Sequence, residues 1–165
     1  MSLSEAIAAE LKHEAAITRR LLERVPEEAL GWKPHEKSMT LSMLAGHVAE
    51  LPDWFSAIVK QDELDFATMD YKPLEPTKTS ELLEAFDKNV ASALDVLQGQ
   101  TDEFLSTSWR LRDGERIFFE MPRSAVIRSM TMNHLIHHRG QLSVYLRMKD
   151  VPIPSIYGPS ADEQV

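Results

Sequence analysis

Two histidines stand four residues apart in Asn133-His134-Leu135-Ile136-His137-His138-Arg139-Gly140-Gln141-Leu142. On a helix, residues at that spacing stack one above the other on a single face. Two imidazoles so placed can close on one ion, as they do in the His-Glu-x-x-His helices of metallohydrolases. A third histidine, His47, lies far upstream in the apolar stretch Leu44-Ala45-Gly46-His47-Val48. Facing inward from two helices, His47, His134 and His138 would supply three neutral nitrogen donors and leave one coordination position for water or substrate. Imidazole suits zinc, nickel and iron alike, so the donor set does not select the metal. The chain has no cysteine, which excludes disulfides and leaves His, Asp and Glu to hold any ion. The ring nitrogens turned away from an ion need acceptors. Glu50, one turn after His47, and Gln141, one turn after His138, are the candidates.

Plainer explanations fit some of the same residues. A lone histidine on an apolar helix face is usually a satisfied core or boundary residue, and His47 alone reads that way. The His134/His138 pair alone fits a surface or a dimer seam as well as it fits an ion. His137 is turned about 100° from His138 around the helix, so it reads as a boundary residue or dimer contact. His13 and His35 have no matching partner and are expected in solvent. Arg139, on a flank of the same helix, reads as a surface salt bridge before an anion-binding group. Trp54 and Tyr145 could line a pocket over an ion, although core packing is the simpler role. Met130, Met132 and Met148 read as packing.

These side chains must be positioned by helices. Apolar periodicity predicts four, near residues 2–25, 40–61, 80–98 and 122–149. Ser2-x-x-Glu5 is a capping box for the first, and Pro26 stops it. The short run Pro26 to Gly31 reads as a single turn. Pro52 should bend the second helix just beyond His47. Residues 62–78, punctuated by Pro73 and Pro76, read as a long crossover loop. Thr79 or Ser80 caps the third helix, and Gly99 ends it. Trp109 to Phe118 reads as a small β-hairpin turning at Asp113-Gly114. Pro122 opens the last helix, whose inward stripe is expected to be Ile127, Met130, His134, His138, Gln141 and Tyr145. Gly46 and Gly140 flank the two histidine sites and favour close packing of the second helix on the fourth. The tail, residues 151–159, is extended and partly apolar, and should lie across the bundle. The fold class expected is all-α: one domain over residues 1–165, a four-helix bundle with one long crossover and a hairpin between helices three and four.

Composition narrows the partners. Eighteen basic against 26 acidic residues give a net charge of -8, which argues against nucleic-acid binding. The cluster Arg110, Arg112, Arg116 is broken by Asp113 and Glu115. No apolar run reaches membrane-spanning length, and Met1 to Glu5 lacks the basic and apolar regions of a signal peptide, so a cytoplasmic protein is expected.

The chain resembles the DinB-like superfamily of metal-binding four-helix bundles, which includes bacterial thiol-dependent transferases. The resemblance is carried by Leu44-Ala45-Gly46-His47-Val48-Ala49-Glu50 and by His134-Leu135-Ile136-His137-His138-Arg139-Gly140-Gln141-Leu142. Val25 to Pro34 and Pro154 to Glu163 agree with it, so it covers essentially the whole chain. It implies a divalent metal, usually nickel, zinc or iron, on His47, His134 and His138, and a frequent homodimer. It also implies a low-molecular-weight thiol such as bacillithiol or mycothiol at the open position, activated to a thiolate that attacks an electrophile. Two other functions fit the same residues. One is hydrolysis by metal-activated water, with Glu50 as the base. The other is a non-catalytic, metal-stabilised bundle serving a partner or a stress response.

Overall fold

The computed structural model of the protein describes residues 1–164 and is mostly helical, with a small three-stranded sheet. Helix α1 (Leu3–Leu22) starts at the expected capping box: Glu5 N–H donates to Ser2 Oγ at 3.2 Å, and Ser2 N–H to the Glu5 carboxylate at 2.7 Å. Helix α2 (Leu41–Glu50) is capped by Thr40, which accepts from Met43 N–H at 3.2 Å. Pro52 lies in a 3-10 turn, Leu51–Asp53, before α3 (Trp54–Lys60) begins, so the expected second helix is two helices joined at its proline. Helix α4 (Thr79–Leu97) begins one residue earlier than expected, with Lys78 and not Thr79 or Ser80 at the cap position. Thr79 is already helical and its hydroxyl donates to Val25 O at 2.9 Å, while Glu81 reaches back to the Thr77 and Lys78 amides. Gly99, at φ +76°, ends it in the left-handed conformation that glycine adopts without a Cβ clash.

The mostly helical fold expected is joined by a small sheet that is larger than the expected hairpin by one strand. After α5 (Asp102–Leu105), strands β2 (Ser108–Asp113) and β3 (Arg116–Pro122) form the expected hairpin, with Gly114 at φ +58° in its turn. A third strand, β1 (Glu63–Asp65), lies within the segment assigned to a loop and pairs in parallel with β2. Arg112 holds it there, 2.7 Å from both Glu63 and Asp65.

The last helix is also interrupted. Helix α6 (Arg123–Val126) runs into a π-helical stretch, Ile127–Asn133, before α7 (His134–Met148). The buried apolar residues of α7 are Leu135, Leu142 and Leu146, so the core stripe is turned by one residue from the expected one. His134 and Tyr145 are half-buried beside that stripe, and Gln141 is exposed. Arg123, almost wholly buried, closes the C-terminal end of α3. It donates to the carbonyls of Ile58 and Gln61 and pairs with Asp62 at 2.5 Å.

The core has two lobes. One joins the C-terminal half of α1 to α2, α4 and α7. The other joins the N-terminal half of α1 to α3, the end of α4, the π-helical stretch, Trp109 and Leu111. Trp54 packs against both. The C-terminal tail lies against the helices as expected, with Ile153 and Pro154 buried.

Candidate metal centre

His47 comes from α2, one turn from its C-terminus, and His134 and His138 from the first turns of α7. Their Nε2 atoms converge: His47 to His134 at 3.4 Å and His134 to His138 at 2.8 Å. Nitrogens at 2.0–2.1 Å from one tetrahedral ion lie about 3.3 Å apart. The His47–His134 distance matches a shared ion, and the His134–His138 distance is about 0.5 Å shorter than that ideal. All three donors lie within 4.8 Å of one another, and the rings meet from two helices 87 residues apart in sequence.

The far side of each α7 ring fixes its tautomer. His134 Nδ1 faces the Met130 carbonyl at 3.3 Å, and His138 Nδ1 faces Gln141 Oε1 at 2.7 Å. Both partners are oxygens that accept, so both Nδ1 atoms carry the proton and both Nε2 atoms present lone pairs. Two lone pairs at 2.8 Å make no hydrogen bond with each other, but a cation between them satisfies both. Burial, and then the neighbouring His138 and His134 rings, push His47 down to about 4. Burial also holds His134 and His138 below the ordinary histidine range. All three are thus neutral donors at pH 7, and this chemistry fits a divalent ion. Among the described residues they are also the one group of three or more His, Asp or Glu side chains close enough to share an ion.

Of the two expected supporting residues, Gln141 fills its role and Glu50 does not. The Glu50 carboxylate accepts from Tyr71 OH at 2.9 Å and from Leu74 N–H at 3.0 Å, which fastens the crossover segment to α2. Burial raises Glu50 above the usual carboxylate range. Gly46 explains the close approach. A Cβ there would lie 2.1 Å from the Leu74 carbonyl oxygen, so only glycine admits this segment against the helix. The glycine does mark tight packing beside His47, but its partner is the crossover and not the fourth helix. Gly140 has nothing near its Cβ position and carries no such role.

The crossover walls a cleft against His47. Two adjoining cavities, about 270 and about 360 Å³, share His47, Trp54, Met69 and Tyr71. Phe66 closes the larger, and Glu50, Asp53 and Asn89 belong to the smaller. Sequence spacing could not reveal Tyr71, Phe66 and Met69, because a loop carries no periodicity that says where it lands. A groove of about 570 Å³ between α1 and α4 is larger but touches none of the three histidines.

The other expectations divide. His13, His35 and His137 are exposed, in line with their roles outside the donor set. Trp54 lines the cleft. Tyr145 instead packs edge-on against Trp32 at 5.6 Å. Met132 is buried while Met148 is exposed. Arg139 is not on the surface: only 1% exposed, it pairs with Glu14 at 2.7 Å and donates to Thr18 Oγ1 and to Tyr157 OH.

The family follows from comparison of the whole chain. The DinB family model matches residues 1–164. The chain belongs to the DinB family. Similar chains include YrdA of Bacillus subtilis (strain 168), an uncharacterized protein, 27% identical over 154 residues that cover 91% of this chain and 85% of that one. YjoA of the same organism, also uncharacterized, is 26% identical over 154 residues, covering 89% and 91%. A DinB-like protein from Bacillus cereus ATCC 10987 superposes with a TM-score of 0.72 at 24% identity, over 93% of this chain and 97% of that chain. The YjoA structure superposes with a TM-score of 0.68 at 19% identity, over 97% and 99%. At those identities the structural likeness speaks for the DinB fold. In this DinB chain, metal binding is argued from His47, His134 and His138 themselves.

Proposed function

We propose that this DinB-family protein is a thiol S-transferase or detoxification enzyme that depends on a divalent metal held by His47, His134 and His138. The convergence of three neutral imidazole Nε2 atoms beside a cleft carries this reading. When bound, a divalent ion lowers the pKa of a coordinating thiol and so supplies a nucleophilic thiolate at neutral pH. The chain's own residues do the rest. Met130 O and Gln141 Oε1 orient two of the donor rings. Trp54, Phe66, Met69 and Tyr71 offer an apolar wall for the electrophile and exclude water from it.

Metal-assisted hydrolysis is the weaker alternative, because both Glu50 oxygens are engaged by Tyr71 and Leu74 and neither is free to serve as a base. A purely structural metal is disfavoured by the two cavities open beside His47. The proposal extends to a cytoplasmic homodimer; light scattering showing only an 18.8 kDa species would exclude the dimer. The deciding assay loads purified protein with nickel, zinc or iron and follows conjugation of monochlorobimane to small thiols, bacillithiol and mycothiol included. Turnover that disappears in His138→Ala is the expected result; no turnover with any metal and thiol overturns the transferase.

A further inference from the structure

We infer that the cleft beside His47 selects a substrate bearing a positively charged nitrogen on an apolar body, an inference that rests on the metal–thiol reading for which reaction the substrate enters. The larger cavity is mostly aromatic and apolar, and Trp54 meets Phe66 edge to face at 6.4 Å. The smaller adds Glu50 and Asp53. Among the described residues, no lysine or arginine lines either cavity. Glu50 is held in place by Tyr71 and Leu74, so its charge is oriented. Asp53 is exposed, and among the described residues its carboxylate has no ion-pair or side-chain hydrogen-bond partner.

Aromatic faces within about 6 Å attract cations through their quadrupole, Trp most strongly. The same aromatic cluster already receives a cation on its outer side: Arg116 lies 4.9 Å over the Phe118 ring, and Phe118 stands 6.0 Å from Phe66. Charge complementarity points the same way. With a divalent ion and one thiolate bound, the three neutral imidazoles would hold one net positive charge, and ionised Glu50 and Asp53 would carry two negative ones. One negative charge then remains for a cationic substrate to neutralise. An anionic substrate would meet repulsion from Glu50 and Asp53 without a basic side chain to offset it.

Isothermal titration of the zinc-loaded protein, its open metal position saturated with 2-mercaptoethanol, with three probes of like size tests this: benzyltrimethylammonium, benzyl alcohol and phenylacetate. The cation should bind about fivefold tighter than the alcohol, or better, with phenylacetate weakest. In Asp53→Asn that preference should shrink at least about threefold while benzyl alcohol binds as before. Equal affinities, a preference for phenylacetate, or no binding of any probe at millimolar concentration would overturn the assignment. So would a cation preference that survives in both Asp53→Asn and Phe66→Ala, since binding would then lie elsewhere. Zinc content is measured on the same samples: absence of zinc defeats the metal-dependent function, whereas a lost cation preference with zinc retained defeats only this inference.

Discussion

His138 and Arg139 are neighbours in the chain, yet they enter polar clusters of opposite character. Arg139 is enclosed with Glu14, Thr18 and Tyr157, where the donors meet acceptors: the guanidinium meets the Glu14 carboxylate at 2.7 Å, and Tyr157 OH donates to the same carboxylate at 2.8 Å. The ring of Tyr157 stacks on the guanidinium at 5.0 Å. His138 enters a cluster short of donors, three neutral rings turning their Nε2 atoms toward one point beside a cleft. A saturated buried network fixes structure, here tying α1, α7 and the tail together. A cluster with an unmet need for positive charge is built for something added later.

Five substitutions can break or sharpen this contrast. The largest loss should come from Arg139→Met, which leaves the Glu14 carboxylate buried without its partner. Urea unfolding should show a stability loss of about 3–5 kcal/mol. A loss under about 1 kcal/mol would mean that the network is not structural after all. Gly46→Ala comes next. Its Cβ would collide with the Leu74 carbonyl, and the backbone shift should cost about 1–3 kcal/mol. Quenching of tryptophan fluorescence by acrylamide should rise as the crossover lifts from Trp54.

His138→Ala should change the stability of metal-free protein by no more than about 1 kcal/mol, because the apolar core of α7 is left whole. Elemental analysis should nevertheless find the ion lost, while exposed His137→Ala keeps it. The reverse result would redraw the site around His137. The smallest effect belongs to the exposed pair Glu10–Arg128. Hydrogen bonding to Arg128 holds Glu10 below the usual carboxylate range. The pair's contribution is therefore present above the unfolded carboxylate value, about pH 4.3, and is lost as pH falls through the lower folded value. In Arg128→Ala the acid limb of the stability curve should flatten by about 0.5 kcal/mol.

The two clusters also differ in how far the sequence could reveal them. The histidines were readable because their spacing follows the helix repeat, and Gln141 because it lies one turn from His138 on the same helix. Arg139 reads as a surface residue in the sequence because its partners stand 125 and 18 residues away, on α1 and the tail. The helices emerged from periodicity and capping, including the break at Pro52. Strand β1 did not. Three residues, two of them acidic, carry no alternation that distinguishes them from loop, and their partner β2 lies nearly fifty residues on. Glu50 was assigned to the wrong neighbour because Tyr71 and Leu74 arrive from a segment that has no repeat of its own.

The π-helical stretch Ile127–Asn133 sets the rotation of the helix that carries two of the three histidines. A wide turn is one residue inserted into an α-helix without breaking it, so it works as a phase shifter between two rigid rods. Upstream, Val126 and Ile127 are locked into one lobe of the core; downstream, His134 and His138 are aimed at His47. Removing a single residue between them would restore an ordinary helix and rotate the downstream rod by about 100°. That rotation would swing the histidines off their target while every one of them was still present. In this chain, then, the length of the stretch aims the candidate site as much as the positions of the histidines do.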